Sequence, residues 1–244
     1  PSNTVSVPQT SGQNMQPAEL AALLDASVVS VIGKNSYGAG FFIGPNLLVT
    51  NRQAIEGSEP DSIMVTSAAM KQVLKAEIIS KSQTGNSKSS DFVLLRLPAD
   101  FKAPAMLTIA GLATPSGSTI IAAGIPEHAF KPGRRRASIL NGNAGEAPAT
   151  ILALGKISTI QIQQDGMKRL IHTADIQAGH AGGPLTDRCG RVVGVNTVEQ
   201  NKNQSDYRIL YALSAENLID FLRSNGISTN TASEVCATGR VENK

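Results

Sequence analysis

Gly179–His180–Ala181–Gly182–Gly183–Pro184–Leu185 is the stretch on which the reading of this chain turns. Three glycines in five positions mark a tight turn. Glycine takes backbone angles closed to other residues and lets a second backbone approach closely. The side chain at the centre of the turn is Ala181, a methyl group. Downstream, Arg191 to Asn196 is an apolar, β-branched run that reads as a strand. Two cysteines occur in the whole sequence, Cys189 in the turn between these stretches and Cys236 near the end. They cannot make a dense disulfide framework or a four-cysteine zinc site. One bridge tying the polar tail to the turn is expected, and it implies an oxidising compartment; two unrelated thiols are the alternative.

Upstream, the chain shows no internal repeat. Residues 1–16 are rich in Ser, Asn, Gln, Thr and Pro and read as a flexible linker. Pro17 to Ala26 reads as a short helix with Leu20, Leu23 and Leu24 on one face. Val28 to Ile32 is a first strand. Gly38 to Asn51 reads as a hairpin about Gly44–Pro45–Asn46. Further strands are expected at 63–65, 73–79, 92–97, 120–123, 136–140, 149–160, 169–172 and 208–213. Ser214 caps a final helix, Ala215 to Ser224, stopped by Asn225–Gly226. Residues 229–244 form a polar tail. Many short strands at even spacing specify an all-β barrel or sandwich.

Composition narrows the function. The 244 residues are 41% hydrophobic and 17% charged, with net charge +3, which suits a globular domain. No apolar run nears 18 residues, so membrane attachment is expected only through segments outside this sequence. Lys131 with Arg134–Arg135–Arg136 is the one dense basic patch, and a solvated loop accounts for it. There is no Trp and only three Tyr, so no nucleic-acid partner is expected.

Four segments, in order, then carry a resemblance. They are Gly38–Ala39–Gly40–Phe41–Phe42–Ile43; Leu48–Val49–Thr50–Asn51–Arg52–Gln53–Ala54–Ile55; Ser90–Asp91–Phe92–Val93–Leu94–Leu95; and Gly179 to Leu185, continued by Gly190 to Thr197. Together they resemble the trypsin-like serine proteases, and within them the bacterial HtrA (Deg-type) protease domain. The match covers most of residues 27–226. It implies two six-stranded antiparallel β-barrels with a short N-terminal and a C-terminal helix.

The resemblance also assigns positions. Such enzymes need a serine to attack, a histidine to take its proton and an aspartate to orient the histidine. The aspartate position is Asp91 and is kept. The histidine position is Gln53, which cannot act as a base near neutral pH. The serine position is Ala181, which has no oxygen. The resemblance places the backbone N–H groups of Gly179 and Ala181 at an oxyanion hole, if the loop is open rather than collapsed. It places Asp175 at the base of a specificity pocket walled by Val195 and Asn196, where it would favour a basic side chain; a turn or backbone-capping aspartate is the plainer reading.

The expected function is a pseudoprotease that binds a peptide or protein partner, in the periplasm or another extracytoplasmic space. Two alternatives stand. One is an active serine endopeptidase silenced by engineering, against which the second loss at Gln53 counts. The other is a pseudoprotease holding a transition metal through His128, His172 and His180, by analogy with degenerate HtrA-like proteins of magnetosome-forming bacteria. The three histidines lack tight metal-ligand spacing, so no cofactor is the default.

Overall fold

The computed structural model describes residues 9–10, 12–82, 91–125, 139, 141, 149–200 and 208–237. The strand expected at 136–140 therefore lies outside the described residues, apart from Ile139.

Helix α1 (Pro17–Ser27) buries Leu20, Leu23 and Leu24, and its start is tied by Gln16 N–H donating to Glu19 Oε2 at 3.2 Å. The chain then enters the first sheet: β1 (Val28–Ile32), β2 (Tyr37–Phe42), β3 (Leu47–Asn51), β4 (Met64–Thr66), β5 (Val73–Lys75), β6 (Glu77–Lys81) and β7 (Phe92–Arg96), in the order β5-β4-β1-β2-β3-β7-β6. The single strand expected at 73–79 is here β5 and β6, parted by Ala76 alone. Ala76 is buried and its N–H donates to Ile63 O at 2.9 Å. The two edges of the sheet are thus the two arms of one bent segment. Seven strands make six chain segments curled into a barrel.

The second sheet holds β8 (Ile109–Ala110), β9 (Thr119–Gly124), β10 (Ile151–Ile162), β11 (Lys168–His172), β12 (Pro184–Thr186), β13 (Val192–Gln200), β14 (Arg208–Ser214) and β15 (Thr231–Ala232). Six of these, β12-β9-β10-β11-β14-β13, form a ring that the β12–β13 pairing closes. The short β8 pairs in parallel with the start of β13, and β15 pairs in parallel with β8. The double barrel with six strands in each is the expected fold. The additions β8, β12 and β15 were not expected, because two or three residues carry no readable alternation. Helix α2 (Ala215–Ser224) follows β14, with Ser214 Oγ accepting from Asn217 N–H at 3.4 Å.

Separate apolar clusters fill the two barrels, and a third joins them. Phe92 of β7 lies 5.5 Å, ring to ring, from Phe221 of α2. Truncating such a buried Phe to Ala costs about 3–5 kcal/mol. The polar ends lie against the second barrel where they are described. Met15 N–H donates to Arg188 O at 2.9 Å and Ala237 N–H to Gly12 O at 3.2 Å. Cys189 and Cys236 form the expected disulfide across a sequence separation of 47. A loop of that length contributes about 4 kcal/mol by the chain-entropy model. No described helix is long and apolar enough to cross a membrane.

Candidate functional site

The site residues lie on two turns that meet at the seam between the barrels. On the first barrel, β3 runs into a 3-10 turn, Gln53–Ile55. Asn51 Oδ1 caps it, accepting from Ala54 N–H at 3.0 Å. Pairing of Asn51 with Phe92 sets Asp91 beside the same turn. Arg52 then ties the corner. Its N–H donates to Asp91 Oδ1 at 3.0 Å, and its Nη1 donates to Ser82 O at 2.8 Å. Gln53 is half-buried next to this clamp. Burial raises the Asp91 carboxyl from 3.8 to about 6, against the lowering pull of the Arg52 N–H and charge. The clamp was not anticipated; the signal for the cap was there, since Asn is a preferred cap before a helical turn.

The second turn is Ala178–His180, also 3-10, running into Ala181 and the glycines. Gly182 has φ +83°, and a Cβ there would stand 2.4 Å from Ala39 O. A Cβ on Gly183 would stand 2.2 Å from Ala123 O. Only glycine fits this packing of backbone on backbone. Ala181 O accepts from Ala39 N–H at 2.8 Å. A Cβ on Gly38 would lie 2.7 Å from both Ala181 O and Ala54 Cβ. So β2 holds the two turns together, and the positions of Gln53, Asp91 and Ala181 gather there from three distant parts of the chain.

The loop's N–H groups point inward. His180 N–H donates to Gln177 O at 2.8 Å, Ala181 to Ala178 O at 3.1 Å, Gly182 to Asn196 O at 2.9 Å and Gly183 to His180 O at 2.9 Å. Of the two donors expected at an anion site, Gly179 and Ala181, the second is committed to its own turn. The Ala181 methyl is wholly buried, in an apolar cluster with Ala174, Ile176 and Leu185. Asp175 is exposed, while its neighbour Ile176 is buried. Val195 and Asn196 are fully buried. Asn196 braces the loop, its Nδ2 donating to Pro184 O at 2.9 Å.

The three histidines do not form a visible ligand set. His128 lies outside the described residues. His172 is buried in the second barrel and its ring nitrogens make no side-chain hydrogen bond among the described residues. Desolvation holds its pKa down from 6.5 to about 4, opposed by the backbone at Ala174. His180 is buried and its Nδ1 accepts from Gln177 N–H at 3.2 Å. The one grouping of metal-type donors among the described residues is Asp187 with Cys189 and Cys236. Its sulfurs are bound in the disulfide, so they offer no thiolate.

Comparison with known proteins agrees with this geometry. A family model of the trypsin-like peptidase domain matches residues 38–195. Serine protease Rv3671c of Mycobacterium tuberculosis (strain H37Rv) is 28% identical over 162 residues, 65% of this chain and 35% of that protein. An uncharacterized protein of Sinorhizobium fredii, y4bJ, is 26% identical over 231 residues, 91% of this chain and 32% of its own length. The chain spans about a third of the length of these curated relatives. Among solved structures, the active form of Rv3671c protease from M. tuberculosis superposes with TM-score 0.63 at 20% identity, covering 97% of each chain. The Yersinia pestis serine endoprotease does so with TM-score 0.62 at 16% identity, covering 86% of this chain and 66% of that one. At these identities the structural likeness speaks for the fold alone. With the family model spanning both turns of the site, the chain belongs to the trypsin-like peptidase domain family.

Proposed function

We propose that this domain is a catalytically silent member of its family, a pseudoprotease that works by binding a peptide or protein partner. The observation that carries the reading is Ala181. Its side chain is a buried methyl, and its N–H closes the Ala178 turn. Position 181 therefore supplies neither the nucleophile nor, in this loop shape, the second oxyanion donor. Gln53, at the position of the general base, cannot accept a proton near neutral pH. Loss of the nucleophile alone typically costs about a million-fold in turnover. Two independent losses favour natural degeneration over an engineered silence. The disulfide supports residence in an oxidising, extracytoplasmic compartment. A peptide would add along the seam as an extended strand, the mode that uses backbone more than side chains.

Turnover assays on casein and on short fluorogenic peptides test the catalytic part. We expect no cleavage by the wild-type chain or by Ala181→Ser, and any cleavage to require Gln53→His together with Ala181→Ser. Cleavage by the wild-type chain, or full activity from Ala181→Ser alone, overturns the reading. A peptide-library screen tests the binding part. Affinities no tighter than millimolar throughout would move the partner surface away from the seam.

A further inference from the structure

A cavity of about 260 Å³ lies on the second barrel, between the connection from β8 to β9, the turn at Asp187–Arg191 and the tail at Glu234–Cys236. No part of the described catalytic-type site lines it. Its walls are mixed: Ala110, Leu112, Pro115 and Val235 are apolar, and Asn14, Ser118 and Thr119 bring polar side chains. Leu112 is 46% exposed and Val235 is 70% exposed, so two large apolar side chains are left in water at the mouth of a cavity.

The floor carries charge. Arg191 is 4% exposed. Its Nε donates to Asp187 Oδ2 at 2.8 Å, its Nη2 reaches the same oxygen at 2.6 Å, and its Nη1 donates to Glu234 O. A guanidinium carries five N–H donors, and these bonds use three of them. Asp187 has little left to offer the others. Its Oδ1 already accepts from Cys189 N–H at 2.9 Å and Arg191 N–H at 3.0 Å. Arg191 lines the cavity, and a guanidinium N–H not used by these bonds can donate to a ligand oxygen placed there. At the rim, exposed Arg188 and exposed Glu234 balance in charge. Asn14, Thr114, Ser118 and Thr119 add neutral polar groups, so the charge that favours an anionic oxygen is the buried guanidinium.

We propose that this cavity binds a small apolar carboxylate, with its oxygens on Arg191 and its apolar part against Leu112 and Val235. Arginine favours carboxylate over neutral oxygen because the bond is charge-assisted and forked. The volume is just below the range of drug-sized sites, about 300–1,000 Å³, which limits the ligand to a short chain. A free medium-chain fatty acid and the apolar C-terminal residue of a peptide share this chemistry. The site does not depend on what the seam between the barrels does. The disulfide fastens its outer wall, since Cys236 follows Val235 directly.

Isothermal titration of the oxidised protein with octanoate, octanamide, and a short peptide ending in leucine as free acid or as amide tests it. We expect at least one of the two acids to bind with submillimolar affinity, and its amide to bind about tenfold more weakly or worse. The acid that binds identifies the source. Val235→Asp, at an exposed position that leaves the fold intact, is expected to weaken the acid about tenfold or more, and opening the disulfide with reductant to weaken it further. No binding by either acid, equal binding of acid and amide, or binding untouched by Val235→Asp overturns the proposal.

Discussion

Asp91 and Asp187 are aspartates flanking strand ends, one on each barrel, and the fold treats them in opposite ways. Asp187 is 5% exposed and takes bonds from two backbone N–H groups and from two nitrogens of Arg191. Its charge is matched where it stands. Asp91 is half-buried, with one backbone N–H on its carboxylate and no ion pair among the described residues. Burial wins, and its pKa rises to about 6. A carboxylate with a structural task is saturated by the fold. A carboxylate that orients a histidine takes a hydrogen bond from the imidazole and stabilises the imidazolium that forms during reaction. On the reading proposed above, Gln53 offers no such partner, and the Arg52 N–H and charge only partly offset the desolvation of Asp91.

The largest effect that can break this comparison is at Asp187. Asp187→Ala strands Arg191 in the interior and removes the acceptor for two backbone N–H groups. A loss of about 3–5 kcal/mol is expected in urea unfolding at pH 7, as for other broken buried pairs. A loss below about 1 kcal/mol would mean the pair is replaced by water and the contrast with Asp91 is false.

His172 sharpens the comparison from the other sign of charge. Its folded pKa of about 4 lies below the ordinary 6.5. Between those values the unfolded chain binds a proton that the folded chain refuses, so stability falls as pH drops from 6.5 towards 4. The full loss is about 3 kcal/mol. His172→Leu should abolish that slope. A slope unchanged in the variant would place the acid sensitivity elsewhere.

Asp91 gives the smallest and opposite effect. Its folded pKa of about 6 lies above 3.8. The folded chain keeps a proton that the unfolded chain has released, so stability falls as pH rises from 3.8 through 6. Asp91→Asn should therefore stabilise the domain at pH 7, by about 2 kcal/mol after allowance for partial exposure, and do little below pH 4. In the wild-type chain the two slopes oppose each other between pH 4 and 6. Urea midpoints for the wild type and both variants across pH 4–8 separate them. Destabilisation by Asp91→Asn at pH 7 would show that the Arg52 N–H and charge outweigh the burial of Asp91.

Much of the scaffold was legible because it rests on local rules. Val28–Ile32 and Ala215–Ser224 have the expected bounds, since a β-branched run and a Ser-capped amphipathic turn are each decided within a few residues. The disulfide was legible by counting, with only two cysteines to pair. The bend at Ala76 was not, because it is made by a contact with Ile63 that no local pattern encodes. Arg52 was passed over for a similar reason. Its role is to join Asp91 to Ser82, and those partners meet only through the register of β3 and β7.

The sequence by itself determined an all-β barrel or sandwich by strand spacing, the double barrel through its resemblance to trypsin-like proteases, and the identities of Gly182, Gly183, Gln53 and Ala181. It left open which way the loop's N–H groups face. In a glycine-rich turn neighbouring backbone conformations differ little in intrinsic energy, so packing chooses between them. Tertiary structure decided that Ala181 N–H closes on Ala178, that Ile176 is buried and Asp175 exposed, and that Asp91 and His172 are both driven towards their neutral forms. Each depends on desolvation and on contacts between distant segments, which exist only once the barrels have closed.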